Sequence, residues 1–276
     1  MPVFSQSLDC DYVVVGGGCF GTSTALALIR EWPDARVIWF EGSATHTASK
    51  DINKIVRTVY PDEDYVAFAE QAMRMWKEKD PYCDYYHPTS WVQVISKDSH
   101  RSTMKTSKDR MISTQQLGRM TGSHDEPRLN TGETLWLNEN VGYVDSALAL
   151  EAVAREAAKL GVERRKEDVT RLIIDEGACI GVEADQWRVV AQKTIVSAGP
   201  WTPGLLMNSN VEFPSDFFTV AGVAVATMPL DEAEFSKFKS MPILVTDDGM
   251  AYVIFQKLSE LTSMQEKSYH QKSIRA

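Results

Sequence analysis

The chain opens on a sharply patterned stretch. Asp11-Tyr12-Val13-Val14-Val15 is apolar or β-branched at nearly every position, the mark of a strand buried on both faces. Gly16-Gly17-Gly18-Cys19-Phe20-Gly21 follows at once. Helical periodicity then runs from Thr22 to Glu31, with Ala25, Leu28 and Ile29 on one face, until Pro33 stops it. Arg36-Val37-Ile38-Trp39-Phe40 predicts a second strand that ends in Glu41. Further on, Asp64 to Lys79 predicts an amphipathic helix through Val66, Ala69, Met73 and Trp76. Trp91 to Ile95 reads as a strand and Ser113 to Met120 as a short polar helix. Asp145 is placed to cap a long helix with Leu150, Val153, Ala157 and Leu160 on its apolar face and Gly161 as its stop. Strands Asp168–Ile174 and Cys179–Glu183 flank an Asp175-Glu176-Gly177 turn, and a final buried strand, Thr194 to Ser197, runs into Ala198-Gly199-Pro200-Trp201. Phe217–Thr227 and Met250–Phe255 predict two more strands.

The glycines of the opening unit match G-x-G-x-x-G between a strand and a helix. Each has a physical task. Gly16 permits the tight turn, Gly18 lets backbone approach a pyrophosphate, and Gly21 lets helix and strand pack closely. The helix N-terminus offers free N–H groups and a positive dipole end to that pyrophosphate. Glu41, twenty residues after Gly21, is placed to accept hydrogen bonds from an adenosine ribose. A dinucleotide-binding βαβ unit follows from this order. A nicotinamide-type domain would continue as βαβα. Here more than a hundred residues of other character intervene before the doubly wound pattern resumes near Val169 with a hairpin crossover, which is the layout of a flavin enzyme.

Composition adds boundaries. At 276 residues the chain is long enough for about two domains of roughly 150 residues. Lys and Arg number 29 against 38 Asp and Glu, a net charge of −9 with no basic block, which disfavours nucleic acid and anionic membrane as partners. No apolar run reaches the ~20 residues of a membrane span. Cys10, Cys19, Cys83 and Cys179 show neither CxxC nor metal-ligand spacing, so reduced thiols and no metal are expected. The N-terminus lacks a signal-peptide pattern and the C-terminus, Ile274-Arg275-Ala276, is not a peroxisomal address. The expected location is intracellular, in the cytoplasm.

Four stretches, Val13–Gly21 with Glu41, Ala48–Arg57, Gly142–Gly161 and Ser197–Thr202, resemble the D-amino-acid-oxidase-like FAD oxidoreductases. The likeness is strongest to the branch of monomeric sarcosine oxidase, L-pipecolate and saccharopine oxidases and fructosyl amino acid oxidases. Asp51-Ile52-Asn53-Lys54-Ile55 is its most specific segment. The resemblance spans residues from about 10 to 256. It implies FAD as cofactor, with Gly16, Gly18, Cys19, Phe20 and Gly21 at its pyrophosphate and Glu41 at the ribose. It places Ser49 and Lys54 beside the isoalloxazine, the Val169 backbone at the adenine, and Ala198, Gly199 and Trp201 along the flavin. Arg57 takes the position of the arginine that binds a substrate carboxylate in the sarcosine oxidase branch, though fructosyl amino acid oxidases differ there. Lys54 and Arg57 are the candidate catalytic pair. They share a helix face only if their segment is helical, and are otherwise solvated loop charges. His46 either faces the cofactor or is simply exposed. Tyr82, Tyr85, Tyr86 and His87 either line a substrate pocket or pack beneath a Pro-bounded loop.

The implied fold is α/β: a Rossmann-like FAD-binding domain interrupted by an antiparallel-sheet substrate domain, both incomplete. The FAD-binding domain takes residues 10–80 and 141–208, and the substrate domain takes 81–140 and 209–256, with a polar tail at 257–276. That tail matches nothing in the family, and neither Lys257 nor Lys267 is a convincing oxygen-activating lysine. The implied activity is oxidation of a C–N bond in an amino-acid-derived amine, with molecular oxygen reduced to hydrogen peroxide. A C-terminally truncated, inactive relative that still binds FAD is the alternative expectation, and a nicotinamide-dependent dehydrogenase a distant third.

Overall fold

A computed structural model describes residues 6–44, 47–51, 54–60, 62–96, 109–122, 129–222, 228–246 and 251–252. In chain order its elements are β1 (Gln6–Val15), α1 (Cys19–Glu31), β2 (Val37–Phe40), β3 (Lys54–Val56), α2 (Glu63–Glu78), β4 (Tyr86–Ile95), β5 (Arg110–Ile112), α3 (Thr114–Thr121) and β6 (Thr134–Val144). There follow α4 (Ser146–Lys159), β7 (Glu163–Arg165), β8 (Val169–Asp175), β9 (Ala178–Ala184), β10 (Trp187–Val196), α5 (Thr202–Asn208), α6 (Glu232–Phe238), β11 (Ile243–Val245) and β12 (Ala251–Tyr252).

Six strands form the first sheet in the order β7-β2-β1-β10-β9-β8. β7, β2, β1 and β10 run parallel, β9 pairs antiparallel with β10, and β8 pairs antiparallel with β9. Alternation along β1 and β2 loads both faces. Val13, Val15, Ile38 and Phe40 join one core with Leu172, Val182, Val189 and Leu205. Val14, Val37 and Trp39 join the other with Leu26 and Ile29 of α1 and Val153 and Ala157 of α4. This is why the sequence of β1 shows an unbroken apolar run rather than an alternation. The β8–β9 hairpin turns at Glu176 (φ 46°) and Gly177 (φ 81°), the two left-handed positions of a type I′ turn.

Several predicted boundaries change. β10 begins seven residues before the predicted Thr194, because residues 187–193 pair in register with the extended start of β1. In α4 Asp145 occupies the N-cap position but its side chain makes no cap hydrogen bond, and Leu160, expected in the apolar stripe, is exposed past the helix end. The buried stripe is mostly alanine: Ala149, Ala152, Ala154 and Ala157 with Val153, which lets α4 lie close to α1. Lys54 lies on a strand, so Lys54 and Arg57 share no helix face. The strand expected at Phe217–Thr227 is absent over 217–222, where the chain is irregular, and the rest of it lies outside the described residues. Of the strand expected at Met250–Phe255, Ala251–Tyr252 forms β12 and the remainder lies outside the described residues, as do His46, Ile52, Asn53, Lys257 and Lys267.

Two compact units emerge. The first comprises residues 1–54, 74–86 and 144–225 and contains the sheet just described; the second comprises 55–73, 87–143 and 226–276. Residues 55–73 thus group with the second unit and 209–225 with the first, where the sequence reading set boundaries at 80 and 208. The second unit is built on the order β12-β11-β4-β6-β3, with β5 beside β6. Its sheet, expected to be antiparallel, is mixed: β5–β6 and β11–β12 are antiparallel but β11 runs parallel to β4. Val92, Ile112, Leu117, Leu135 and Leu137 form its principal core. The helix expected from Ser113 is α3, closed by a full capping box between Ser113 and Gln116. In α2 the predicted stripe is the less exposed side, with Met73 buried. No helix among the described residues is long and apolar enough to cross a membrane.

One side chain holds the outer edge of the first sheet. β8 is an edge strand, and the buried Ser209 hydroxyl at the end of α5 accepts from Leu172 N–H at 2.8 Å while donating to Leu205 C=O at 2.6 Å. Ser209→Ala leaves a buried amide without a partner. It should lower unfolding free energy by about 1–2 kcal/mol, read by chemical denaturation, with native circular dichroism retained.

Candidate cofactor site

Because β1, β2 and β10 are parallel, their carboxyl ends meet at one edge of the sheet. The chain leaves β1 toward β2 on one side and β10 pairs on the other, so this edge is the switch point at which open α/β sheets bind ligands. Gly16 is wedged there. Its N–H donates to Phe40 C=O at 2.9 Å, its C=O accepts from Trp39 Nε1 at 2.9 Å, and its φ of +119° is closed to most side chains. A Cβ on Gly16 would lie 2.2 Å from Ser197 O, and one on Gly21 would lie 1.9 Å from Gly16 O. Ser197 ties β10 to β1 by both its N–H and its hydroxyl, each 2.8 Å from Val15 O.

The remaining motif glycine, Gly18, and Gly199 after β10 differ from these. A Cβ on Gly18 would meet only the Ser49 side chain, nearest at 3.1 Å, and one on Gly199 (φ +56°) nothing within 4 Å. Backbone at both positions is therefore open to a ligand. At the start of α1, Cys19 N–H donates to Ser49 Oγ at 3.0 Å, whereas the amides of Phe20 and Gly21 have no acceptor among the described residues. Phe20 and Trp201 are exposed. Two free amides at a helix N-terminus beside uncovered glycine backbone fit a pyrophosphate. Gly17, the unspecified position of the motif, proves equally constrained: its Cβ would lie 2.4 Å from Glu41 Cγ.

Glu41 is buried at the end of β2. Its Oε1 accepts from Lys50 Nζ at 2.8 Å, and its Oε2 accepts from Arg164 Nε at 3.0 Å and from a terminal Arg164 nitrogen at 2.7 Å. The same guanidinium grips Glu151 of α4 at 2.8 and 2.9 Å and lies over the Trp39 ring at 5.2 Å. These groups surround a pocket of about 20 Å³, room for one water molecule. Burial by itself raises the Glu41 carboxyl, but the hydrogen bonds from Lys50 and Arg164 outweigh it and hold it below the usual carboxylate range. The Arg164 hydrogen bond likewise holds Glu151 low. Arg164 is pushed above its ordinary value, chiefly by its bond to Glu151 and then Glu41, against the opposing effect of burial.

The other predicted residues fall in three places. Val169 starts β8 next to Asp168, whose carboxylate accepts from Ser43 N–H at 2.8 Å and Ser43 Oγ at 2.5 Å, fixing the turn that follows Glu41. Ala198 packs on the core below, and Gly199 starts a single turn of 3₁₀ helix that leads into α5. Lys54 pairs with Asp51 at 3.1 Å, and the Asp51 carbonyl accepts from Ser146 Oγ at 2.5 Å. Within the second unit, Arg57 lies over the rings of Tyr60 at 4.8 Å and Trp91 at 5.2 Å. The tyrosine cluster divides: Tyr82 packs edge-on against Trp76 at 5.2 Å in the first unit, and burial raises its hydroxyl, while His87 stacks on Tyr143 at 4.7 Å in the second. Lys50, Glu151 and Arg164 were not anticipated from the sequence. The only local sign was a lysine directly after Ser49, and a three-residue strand such as β7 is too short to show a period.

The low Glu41 carboxyl has a consequence for stability. A carboxylate depressed in the folded state stabilises fully above its unfolded value, about 4.3, and loses that contribution as pH falls through the folded value. Glu41→Gln should therefore cost about 1–3 kcal/mol at neutral pH. The gap between wild type and variant should stay constant down to about pH 5 and close below it, as thermal denaturation across pH will show.

Comparison with known proteins agrees with this geometry. The family described as FAD dependent oxidoreductase (DAO) matches residues 11–262. L-saccharopine oxidase of Schizosaccharomyces pombe is 26% identical over 264 residues, covering 86% of this chain and 60% of that protein. Among solved structures, a modified fructosyl peptide oxidase from Aspergillus nidulans superposes with a TM-score of 0.71 at 17% identity, covering 90% of this chain and 62% of that one. The fructosamine oxidase Amadoriase II from Aspergillus fumigatus gives 0.68 at 21% identity, covering 86% and 58%. The chain thus spans about three fifths of the length of these relatives. With the glycine wedge, the open helix N-terminus and the buried Glu41 all at one sheet edge, and a family match across nearly the whole chain, the protein belongs to the DAO family of FAD-dependent oxidoreductases.

Proposed function

We propose that the protein serves oxidation of a C–N bond in an amino-acid-derived amine, yielding an imine that water hydrolyses, with dioxygen taking the two electrons and two protons to give hydrogen peroxide. FAD, when bound, supplies the acceptor for the hydride from the carbon next to nitrogen and returns the electrons to oxygen. The first unit is read as the FAD-binding domain and the second as the substrate domain. Gly16, Gly18, Gly21 and the amides of Phe20 and Gly21 would hold the pyrophosphate, Glu41 the ribose, and the Val169 backbone the adenine. Ser49, Lys54, Gly199 and Trp201 are assigned to the flavin side.

The observation that carries the substrate class is Arg57. Its guanidinium is partly buried and bracketed by two aromatic rings, and no acidic side chain among the described residues pairs with it. A cation oriented by π faces and free of a carboxylate is a ready anchor for a ligand carboxylate, which it can hold bidentately. Lys54 differs in being paired with Asp51, whose carboxylate holds the ammonium in place. The relatives are consistent with an amino-acid-like substrate, since one is named for saccharopine and others for fructosyl peptides and fructosamines.

The test is direct. Purified protein should carry flavin absorption bands and release peroxide with one of saccharopine, pipecolate, N-methyl amino acids or fructosyl amino acids. Arg57→Met should raise KM for that substrate about 10- to 100-fold, the worth of a charge-assisted anchor, with a smaller change in kcat. The amidated substrate should not distinguish variant from wild type. Yellow protein that releases no peroxide with any of these amines, or an unchanged KM in Arg57→Met, would overturn the reading.

A further inference from the structure

A carboxylate offers about four lone-pair sites. In Glu41 three hydrogen bonds already arrive, one from Lys50 and two from Arg164. One site, on Oε1, is left. Arg164 is in turn held by two bonds to Glu151, so its planar fork is fixed from both sides, with the Trp39 ring beneath it. The backbone adds to the restraint, because Gly17 packs against the Glu41 stem and Glu41 N–H donates to Arg165 C=O at 2.7 Å. Two cations and two carboxylates leave the group neutral as a whole. Nothing in it needs a counter-ion from solvent, and the orientation of Glu41 is set before any ligand arrives.

We propose that Arg164, anchored by Glu151, and Lys50 are positioning residues for the adenosine half of FAD: they hold the Glu41 carboxylate so that one acceptor site is presented to one ribose hydroxyl. The idea rests on the assignment of Glu41 to the ribose and on FAD binding, and is independent of whether the protein oxidises an amine. Preorganisation of this kind strengthens binding by removing the ordering cost from the binding step. It also gives Glu151, outside the nucleotide motif, a connection to it through Arg164.

The experiment measures binding without turnover. Apoprotein is titrated with FAD by flavin fluorescence and with ADP by calorimetry, ADP being a probe of the adenosine half only, for wild type, Arg164→Met, Arg164→Lys, Glu151→Gln, Lys50→Met, Glu41→Gln and the Glu41→Gln/Arg164→Met double variant. Arg164→Met should raise Kd for FAD and for ADP by the same factor, about tenfold or more, and Glu151→Gln by a smaller common factor. Arg164→Lys should not restore affinity, since an ammonium cannot reproduce the fork. Arg164→Met should add nothing once Glu41 is Gln. Thermal denaturation of each apoprotein separates folding from binding, and Glu151→Gln, altering a half-exposed carboxylate, carries the test if Arg164→Met does not fold. The proposal is overturned if the variants lower only apoprotein stability while both Kd values hold. It is also overturned if the Arg164 loss persists in full beside Glu41→Gln, if affinity rises on freeing Glu41, or if wild type binds neither probe.

Discussion

The close approach of backbones at Gly16 governs this structure. Three strand ends converge there, and the room between them is smaller than a methyl group: Ser197 O lies 2.2 Å from where a Cβ would stand. Glycine's freedom at φ +119° turns the chain from β1 into α1 within that gap. Trp39 Nε1 and Phe40 O complete the hydrogen bonding of Gly16, so the turn is satisfied without a ligand. The helix that follows begins with two amides lacking acceptors among the described residues. Strand pairing therefore leaves these two amides open at the start of α1 as a by-product of packing.

Burying Glu41 beside that turn creates an electrostatic demand. A carboxylate removed from water must be paired and hydrogen-bonded, and the fold answers with one cation from the loop after β2 and another from β7. Arg164 carries the chain of bonds on to Glu151, so α4, β7, β2 and the segment around Lys50 share one network. This links the nucleotide motif to elements more than a hundred residues away. It also couples the first sheet's stability to acid, through a carboxyl held below its ordinary range.

Much of the first unit could be read from the sequence because its signals are local. The run Tyr12–Val15, the glycines, the Ala25-Leu28-Ile29 face and the second strand all sit where expected, as does the hairpin at Glu176-Gly177. Misreadings cluster where a neighbour decides. Residues 187–193 join β10 because the start of β1 pairs with them. Leu160 has the right spacing for a buried position but lies beyond the last turn of α4. Lys54 enters a strand although its i, i+3 relation to Arg57 allowed a helix. Short elements such as β7, β11 and α6 hold too few residues for any period to register.

By itself, the sequence determined the strand–glycine–helix–strand unit that runs into Glu41, and the family resemblance, because glycine, β-branching and helical periodicity act through near neighbours. Only the tertiary structure decided which charges meet. Lys50, Arg164 and Glu151 are ordinary surface-type residues until the parallel pairing of β2 with β7 and the packing of α4 bring them to Glu41. The same holds for Arg57, whose aromatic bracket draws Trp91 from a strand thirty-four positions on. Charges act through space at a few ångströms, and sequence separation carries no record of that distance until the chain has folded.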